Sequence, residues 1–441
     1  MKHLLTSLYV FVVASNLFAT EFIVRDVNSS GENSIWIALP YVFSSDSIGL
    51  TAGVVGIFNG FIQPQMTIIA TVFAGADVPV RNITALGSSE QTARSQGLFL
   101  AISGYKPSFS NRMFISFLGS YAYYPNQRLY LDGSNDSVRN IDEDNILGTS
   151  PLQTQGFNNW ANVDFRFVLP FGEGKKTITP TIRLSRGIAV NRDSKGNGLP
   201  FVTGQTLFGT KYFYNKLTAD KFTEEPSLNT NGLKFYLEHD NTDYTDNPSR
   251  GYNMKLEFAS DFGWANSSQS WTALEAEYSH YFELPNFSWS RQNVLALTAW
   301  TAYSPSWKTD ETIGLANLNK NQPPMWEGAR LGGYNRMRAY DMNRFSDKAA
   351  IYGALEYRLI PELNPMHNQD WNPIPIEWFQ TVLFAEAGRV APEYNLVTLT
   401  KDLKYDIGFS IRALAANIPV RFEMAFGDEG SSMWVMVKQP F

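Results

Sequence analysis

The chain has 441 residues, with 36 Lys and Arg against 42 Asp and Glu, a net charge of -6, 44% hydrophobic residues and no cysteine. Disulfide scaffolds, thiolate metal sites, cysteine nucleophiles and lipid attachment at a cysteine behind a signal are thereby excluded. With 31 Phe, 21 Tyr and 11 Trp the chain is not disordered, and without a basic run it does not suit a nucleic-acid partner.

At the N-terminus Lys2 and His3 precede the apolar run Leu4 to Val13, followed by Ala14, Ser15 and Ala19. The pattern predicts a secretory signal peptide over residues 1–19, cut after Ala19. Its apolar run is too short for a membrane-spanning helix, which needs ~20 residues. Residues 20–47 read as a short periplasmic segment. The stretch Ile48 to Val78 is apolar but broken by Asn59, Gln63, Pro64 and Gln65. Its halves, Gly49 to Phe58 and Gln65 to Phe73, suit strands joined by a tight turn. A secreted chain without a helical span is either soluble or crosses the outer membrane as a barrel.

Period-two alternation decides between these. Val163, Phe165 and Phe167 oppose Asp164 and Arg166, and Ile178, Pro180, Ile182 and Leu184 oppose Thr177, Thr179, Thr181, Arg183 and Ser185. Leu233, Phe235 and Leu237 oppose Lys234, Tyr236 and Glu238; Met254, Leu256 and Phe258 oppose Lys255 and Glu257. The split recurs at Leu274, Ala276 and Tyr278 against Glu275 and Glu277, at Ile407, Phe409 and Ile411 against Asp406 and Arg412, and at Phe422, Met424 and Phe426 against Arg421 and Glu423. Segments of ~10 alternating residues between turns are the signature of a membrane barrel with an apolar outside and a wet lumen. The last segment carries Met433, Val435, Val437 and Phe441 as a C-terminal barrel signal, with Pro440 an oddity for a strand. Tyr121, Tyr123, Tyr124, Trp300 and Trp378, at segment ends, read as interfacial girdles or as core.

Taking turns as breaks predicts sixteen strands, near 48–58, 63–74, 93–104, 111–123, 158–170, 176–190, 201–215, 232–242, 250–263, 268–284, 290–304, 349–360, 378–388, 402–414, 419–427 and 433–441. The fold class is all-β, a transmembrane antiparallel barrel over residues 48–441. Two long connections remain. Residues 124–157 fall on the periplasmic side by this count and hold the acidic run Ile141 to Asn145; Asp142, Glu143 and Asp144 lack the spacing of a calcium loop. Residues 305–348 connect the eleventh and twelfth strands.

The second connection ends Leu331-Gly332-Gly333-Tyr334-Asn335-Arg336-Met337-Arg338-Ala339-Tyr340, then Arg344-Phe345, and leads into Ala354-Leu355-Glu356-Tyr357-Arg358. It resembles the BamA and TamA superfamily of outer-membrane assembly factors, the bacterial surface antigens, whose sixth extracellular loop folds into the lumen carrying Val-Arg-Gly-Phe or Tyr. Met337-Arg338-Ala339-Tyr340 matches at the arginine and the aromatic and departs with Met for Val and Ala for Gly. A glycine there would signal a backbone angle that alanine tolerates poorly. Phe384-Ala385-Glu386-Ala387-Gly388 resembles the family's Phe-x-Asp-x-Gly strand, Asp240 to Gly251 its Asp-rich turn, and Ala38-Leu39-Pro40 the start of its barrel. The resemblance implies a lock in which Arg338 and Tyr340 are held by the inner-wall carboxylates Glu356 and Glu386, supported by Gly332, Gly333, Arg336, Met337 and Ala339. It also implies a lateral gate at the seam between first and last strands. Alternation independently turns Glu356 and Arg358 inward, away from Leu355, Tyr357 and Leu359.

Relatives that insert or secrete other proteins carry periplasmic POTRA domains before the barrel, and residues 20–47 leave no room for one. A separate periplasmic partner would have to supply clients. Outer-membrane lipid and lipopolysaccharide are the expected surroundings, in a Gram-negative outer membrane. No cofactor is expected: the four histidines, His3, His239, His280 and His367, are scattered without metal-ligand spacing, and no serine elbow or phosphate loop appears. His280 reads as a lumen or interface histidine rather than a partner of serine and carboxylate. The expected function is non-enzymatic, in assembly or translocation of outer-membrane proteins or lipids through the lumen or the seam. A passive pore and a structural surface antigen are the competing readings.

Overall fold

The computed structural model describes residues 8–10, 22–27, 35–45, 49–84, 87–130, 133–134, 151–192, 198–220, 227–312, 318–366, 376–415 and 417–441. The acidic run Ile141 to Asn145 with Asp142, Glu143 and Asp144, as well as His3, His367 and most of the predicted signal, lie outside the described residues.

Among the described residues, sixteen strands follow one another in a single antiparallel meander. They are β1 (Ile35–Ser45), β2 (Gly49–Asn59), β3 (Thr67–Thr84), β4 (Gly87–Tyr105), β5 (Met113–Leu129), β6 (Leu152–Val168), β7 (Gln205–Thr218) and β8 (Ser227–Asp240). The second half is β9 (Gly251–Asp261), β10 (Trp271–Leu284), β11 (Ser290–Tyr303), β12 (Ala349–Pro361), β13 (Ile376–Ala391), β14 (Lys404–Ala415), β15 (Ile418–Gly427) and β16 (Gly430–Val437). Leu8–Val10 runs parallel to β16, pairing Leu8 with Met433 and Val10 with Val435, and also lies against β1, so the two ends of the sheet come round to one segment.

Two strand assignments change, and they compensate. The first strand is Ile35–Ser45, inside the predicted linker, paired with β2 from Ile35↔Asn59 to Ser45↔Gly49. Its core, Ile35 to Phe43, is apolar on both faces and contains Pro40, so alternation is silent there. A first strand stands at an edge, where proline is tolerated. Residues 176–190, in contrast, are not a barrel strand. Thr181–Ser185 alternates because Ile182 and Leu184 are buried against Tyr244, but it pairs in parallel with Ile23–Asp26 and antiparallel with Ile188–Ala189 in a separate small sheet. The missed strand also moves the connection between β5 and β6 to the same end of the barrel as the β11–β12 connection, the loop end, opposite to the end that the sequence count gave it.

The sheet is inside out relative to a soluble protein. Leu256, Ile407, Ile411, Leu383 and Phe426 are exposed on the outside, whereas Asp164, Arg166, Glu238, Glu257, Arg358, Arg412 and Glu423 are buried within. Charges packed inside and bare aliphatic side chains outside make sense only when lipid bathes the outer face. Tyr121 and Tyr123 share the outward face, but Tyr124, Trp300 and Trp378 are buried and belong to the lumen, not to a girdle. Met433, Val435 and Val437 keep the outward register of β16, alternating with buried Trp434 and Met436. Phe441 does not continue it. Lys438 adopts φ +65 and its N–H binds the Pro419 carbonyl, and the chain then turns so that Phe441 packs beside Tyr281, Val294 and Ala296. Pro440 follows that turn, so it costs the strand no ladder bond.

The turn end of the lumen is crossed by the small sheet. Ile188 packs on the inward side chains Ile360, Trp378 and Leu414, and the Trp378 indole donates to the Gly187 carbonyl at 2.9 Å. The Asp-rich turn packs on it through Tyr244, and the turn is itself held, with Asp243 accepting from Ser249 N at 2.8 Å, Asn247 reaching Gln292 at 2.9 Å and Gln380 reaching Asn247 at 3.1 Å. Leu256, mid-strand on β9 and 57% exposed, tests the orientation. Leu256→Arg should cost ~2–4 kcal/mol in denaturant unfolding from lipid vesicles; an unchanged midpoint would contradict a lipid-facing outer wall.

Candidate functional site

The connection between β11 and β12 folds back into the lumen, and its tip is set by local backbone needs. Gly332 and Gly333 adopt φ of +107 and +109, and a Cβ on Gly332 would sit 2.3 Å from the Asp341 carbonyl oxygen. Gly332 N–H binds the Arg336 carbonyl and Gly333 N–H binds that of Tyr340, closing a tight double turn that presents Arg338 at its apex. The left-handed residue of the motif is Met337, at φ +57, while Ala339 keeps a negative φ. The expectation that alanine would strain the backbone at 339 is thus corrected. At Met337 an unbranched side chain is the easier choice, because a β-branched one is a strong outlier at positive φ.

Arg338 is wholly buried and meets three carboxylates from three strands: Glu386 of β13 at 3.0 Å, Glu356 of β12 at 2.8 Å and Glu423 of β15 at 2.9 Å. Its backbone N–H also donates to Glu386 at 2.6 Å, its guanidinium lies 3.5 Å over the Phe384 ring, and its carbonyl accepts from the Trp434 indole at 2.7 Å. The carboxylates have their own cations. Glu356 binds Arg358 at 2.8 Å and Arg412 at 2.8 Å, and Glu423 binds Arg412 at 3.1 Å and Arg421. Tyr352 donates to Glu386. Ala339 N–H donates to Asp406 at 3.1 Å, and Tyr340 donates through its hydroxyl to Asp428 at 2.7 Å. Arg358 also donates to the Phe441 carbonyl at 3.1 Å and stacks over its ring, so the turned-in chain end joins the cluster. A charge removed from water this completely must be paired, and planar guanidinium forks shared among carboxylates satisfy that condition.

Glycines on the wall make room for the loop. A Cβ on Gly388 would meet Leu331 at 2.8 Å and the Met337 sulfur at 3.3 Å, and one on Gly427 would meet the Ala339 methyl at 3.0 Å and the Tyr340 ring at 3.2 Å. Met337, Ala339, Tyr340 and Phe384 share one buried apolar cluster under the ion pairs.

Further anchors hold the loop, and of their residues the sequence reading named only Arg336 among the supports of the lock. Lys234 of β8 grips Glu327 at 2.6 Å, across the lumen from the arginine cluster, and shares Glu257 at 3.0 Å. Arg336 binds Glu277 of β10 at 2.8 Å and stacks 4.1 Å over Trp300. Arg344 binds Glu429 at 2.7 Å, and Tyr130 donates to Asp341 at 2.6 Å. The loop therefore bridges from β8 to the β15–β16 turn. Arg412, Arg421 and Glu423 fall on the inward side of the alternation, but spacing alone does not reveal that they meet at Arg338. His280 lies on the outer face, its ring 4.3 Å from Phe282 and its Nδ1 2.8 Å from the Tyr278 hydroxyl.

Two variants probe the lock. Arg338→Ala leaves three buried carboxylates short of a partner and should cost ~3–5 kcal/mol, loosening the loop to protease while the barrel persists; unchanged loop cleavage would count against the lock. Gly427→Ala should destabilise by ~1–3 kcal/mol through overpacking, and Ala339→Gly should restore most of it. Additive losses in that double-mutant cycle, read from the temperature at which the barrel unfolds in detergent gels, would mean the two positions do not touch.

The Omp85 superfamily domain matches residues 162–431, more than half of the chain. No curated protein matches it. Among solved structures, BamA from Haemophilus ducreyi lacking POTRA domains 1–3 aligns over 93% of this chain and 72% of its own, at 12% identity and a TM-score of 0.42. CdiB from Acinetobacter baumannii aligns over 91% of this chain and 58% of its own, at 10% identity and a TM-score of 0.46. With its domain match spanning β7 to β15 and the whole of the inward loop, this chain belongs to the Omp85 superfamily.

Proposed function

We propose that this protein is an outer-membrane barrel of a Gram-negative bacterium that assembles or translocates outer-membrane proteins or lipids, using its lumen or its seam. The observation that carries the reading is that the lumen is crossed at both ends. At the loop end it is spanned by residues tied from Lys234–Glu327 on one wall to Arg338 and Glu423 on the other. At the turn end it is spanned by the small sheet seated on Trp378. A barrel blocked twice is poorly arranged for free diffusion of solutes, which weighs against the passive pore. In this reading the loop end faces outward and the turn end faces the periplasm.

The seam supplies a working edge. Leu8–Val10, within the predicted signal peptide, pairs with β16. Removal of the signal would leave backbone donors and acceptors along β16 that another strand could use, as unpaired edges do. The clients and any periplasmic partner that delivers them would be recognised there rather than by a catalytic group, and the activity is read as non-enzymatic. The loop lock of Arg338, Tyr340, Glu356 and Glu386 keeps the lumen closed while the seam works.

Deletion of the gene followed by quantitative outer-membrane proteomics and lipid-asymmetry assay should show loss of particular barrels or lipids. An unchanged membrane would overturn the assembly reading. In planar bilayers the intact protein should conduct weakly, and the double variant Arg338→Ala, Lys234→Ala should conduct several-fold more; a large, steady conductance in the intact protein would favour the pore.

A further inference from the structure

The connection between β6 and β7 has a second part, beyond the small sheet, that leaves the lumen and turns to the outside of the barrel. Gly198 to Thr203 fold against the outer wall: the Tyr252 hydroxyl donates to the Gly198 carbonyl at 3.2 Å, and Asn241 donates to the Thr203 hydroxyl at 3.1 Å. Glu173 N–H donates to the Gly204 carbonyl at 2.7 Å. Phe201, at φ +66, is fixed in a conformation that a bulky residue rarely adopts.

The face on which this segment lies is the lipid-facing one. His239 follows outward Leu237 by two residues, Tyr252 precedes outward Leu256 by four, and Tyr252 is in register with His280, two residues from outward Tyr278. Rings continue across these strands: Phe171 to Phe201 at 6.0 Å, Phe201 to His239 at 5.4 Å, His239 to Tyr252 at 5.7 Å and Tyr252 to His280 at 6.1 Å. This is an aromatic band at the turn end of the barrel, where membrane-water boundaries favour amphipathic rings. Set on it are Leu199 and Val202, exposed at 70% and 69%. Lys175 and Lys176, four and five residues after Phe171, are exposed and carry the charge that lipid phosphates attract.

We propose that Gly198 to Thr203 form a foot that inserts Leu199 and Val202 into the periplasmic leaflet of the bilayer, at the boundary of headgroups and acyl chains, on the wall opposite the seam. The occupant is phospholipid because the foot continues the lipid-facing surface of Phe167 and Phe208, which pair directly above it. The proposal rests on the membrane-barrel fold, and its leaflet on the orientation given above. A foot on β6–β8 holds the barrel at fixed depth on the side remote from β1 and β16, so that any mismatch with bilayer thickness is taken up at the seam.

The chain has no cysteine, so single substitutions can be labelled uniquely. The full chain carrying Leu199→Cys or Val202→Cys, labelled with an environment-sensitive fluorophore, is reconstituted in phosphatidylcholine–phosphatidylglycerol vesicles with brominated acyl chains. Ile407→Cys, outward at mid-strand, is the lipid reference, and Lys401→Cys, exposed at the loop end, is the water reference. The foot predicts that positions 199 and 202 are quenched by brominated lipid to an extent like position 407 and are protected from aqueous iodide. Quenching by iodide alone, as at 401, would place the tip in water and overturn the proposal. Silence toward both quenchers would place a protein surface over it and overturn it equally. Failure of the Ile407→Cys reference to respond to lipid would remove the barrel orientation itself, a distinct result.

Discussion

The buried charge of Arg338 is the constraint on which the arrangement depends. A guanidinium with no access to water has to find carboxylates, and the nearest ones project from β12, β13 and β15, three strands that enclose one sector of the lumen. Of those carboxylates Glu356 and Glu423 also hold Arg358, Arg412 and Arg421, Glu386 accepts from the Tyr352 hydroxyl, and beside them Ala339 N–H donates to Asp406. Such a cluster need not stabilise more than apolar packing of the same volume would. What it supplies is position: a loop of more than forty residues can be seated with one register only, because any slip leaves several charges unpaired.

The barrel wall is shaped around that seat. Gly388 and Gly427 are bare where Met337 and Ala339 approach, and the Ala339 methyl occupies the space that a side chain at 427 would need. The departure from the family motif at 339 is therefore matched by a small residue on the wall, with no consequence for the backbone angle. The departure at 337 falls on the residue with positive φ, where Met is better tolerated than Val. The Lys234–Glu327 pair then fixes the other flank of the loop, with charges of opposite sense to those at Arg338.

Much of this was legible in the chain. The two-residue period marked which face of each strand carries charge, and so placed Glu356, Arg358, Arg412, Arg421 and Glu423 inside; the resemblance around Met337 to Tyr340 pointed to the loop. What failed has a common cause. Where both faces are apolar, as over Ile35 to Phe43, the period carries no signal, and where one face is buried in a small sheet, as over Thr181 to Ser185, the period is present without a barrel strand. The turn at Lys438 that carries Phe441 inward is set by tertiary contact with Arg358 and Tyr281, which no local pattern announces.

The most direct test of the account is whether the loop occupies this seat in the membrane. The Cβ positions of Ala339 and of a residue at 427 lie about 3 Å apart, close to the ~3.5–4.5 Å spanned by a disulfide. In the cysteine-free chain, the pair Ala339→Cys and Gly427→Cys should cross-link under mild oxidation in intact outer membranes, giving a species that runs faster on gels and reverts on reduction. Folded barrels whose two thiols stay freely alkylated under the same oxidation would contradict the seated loop.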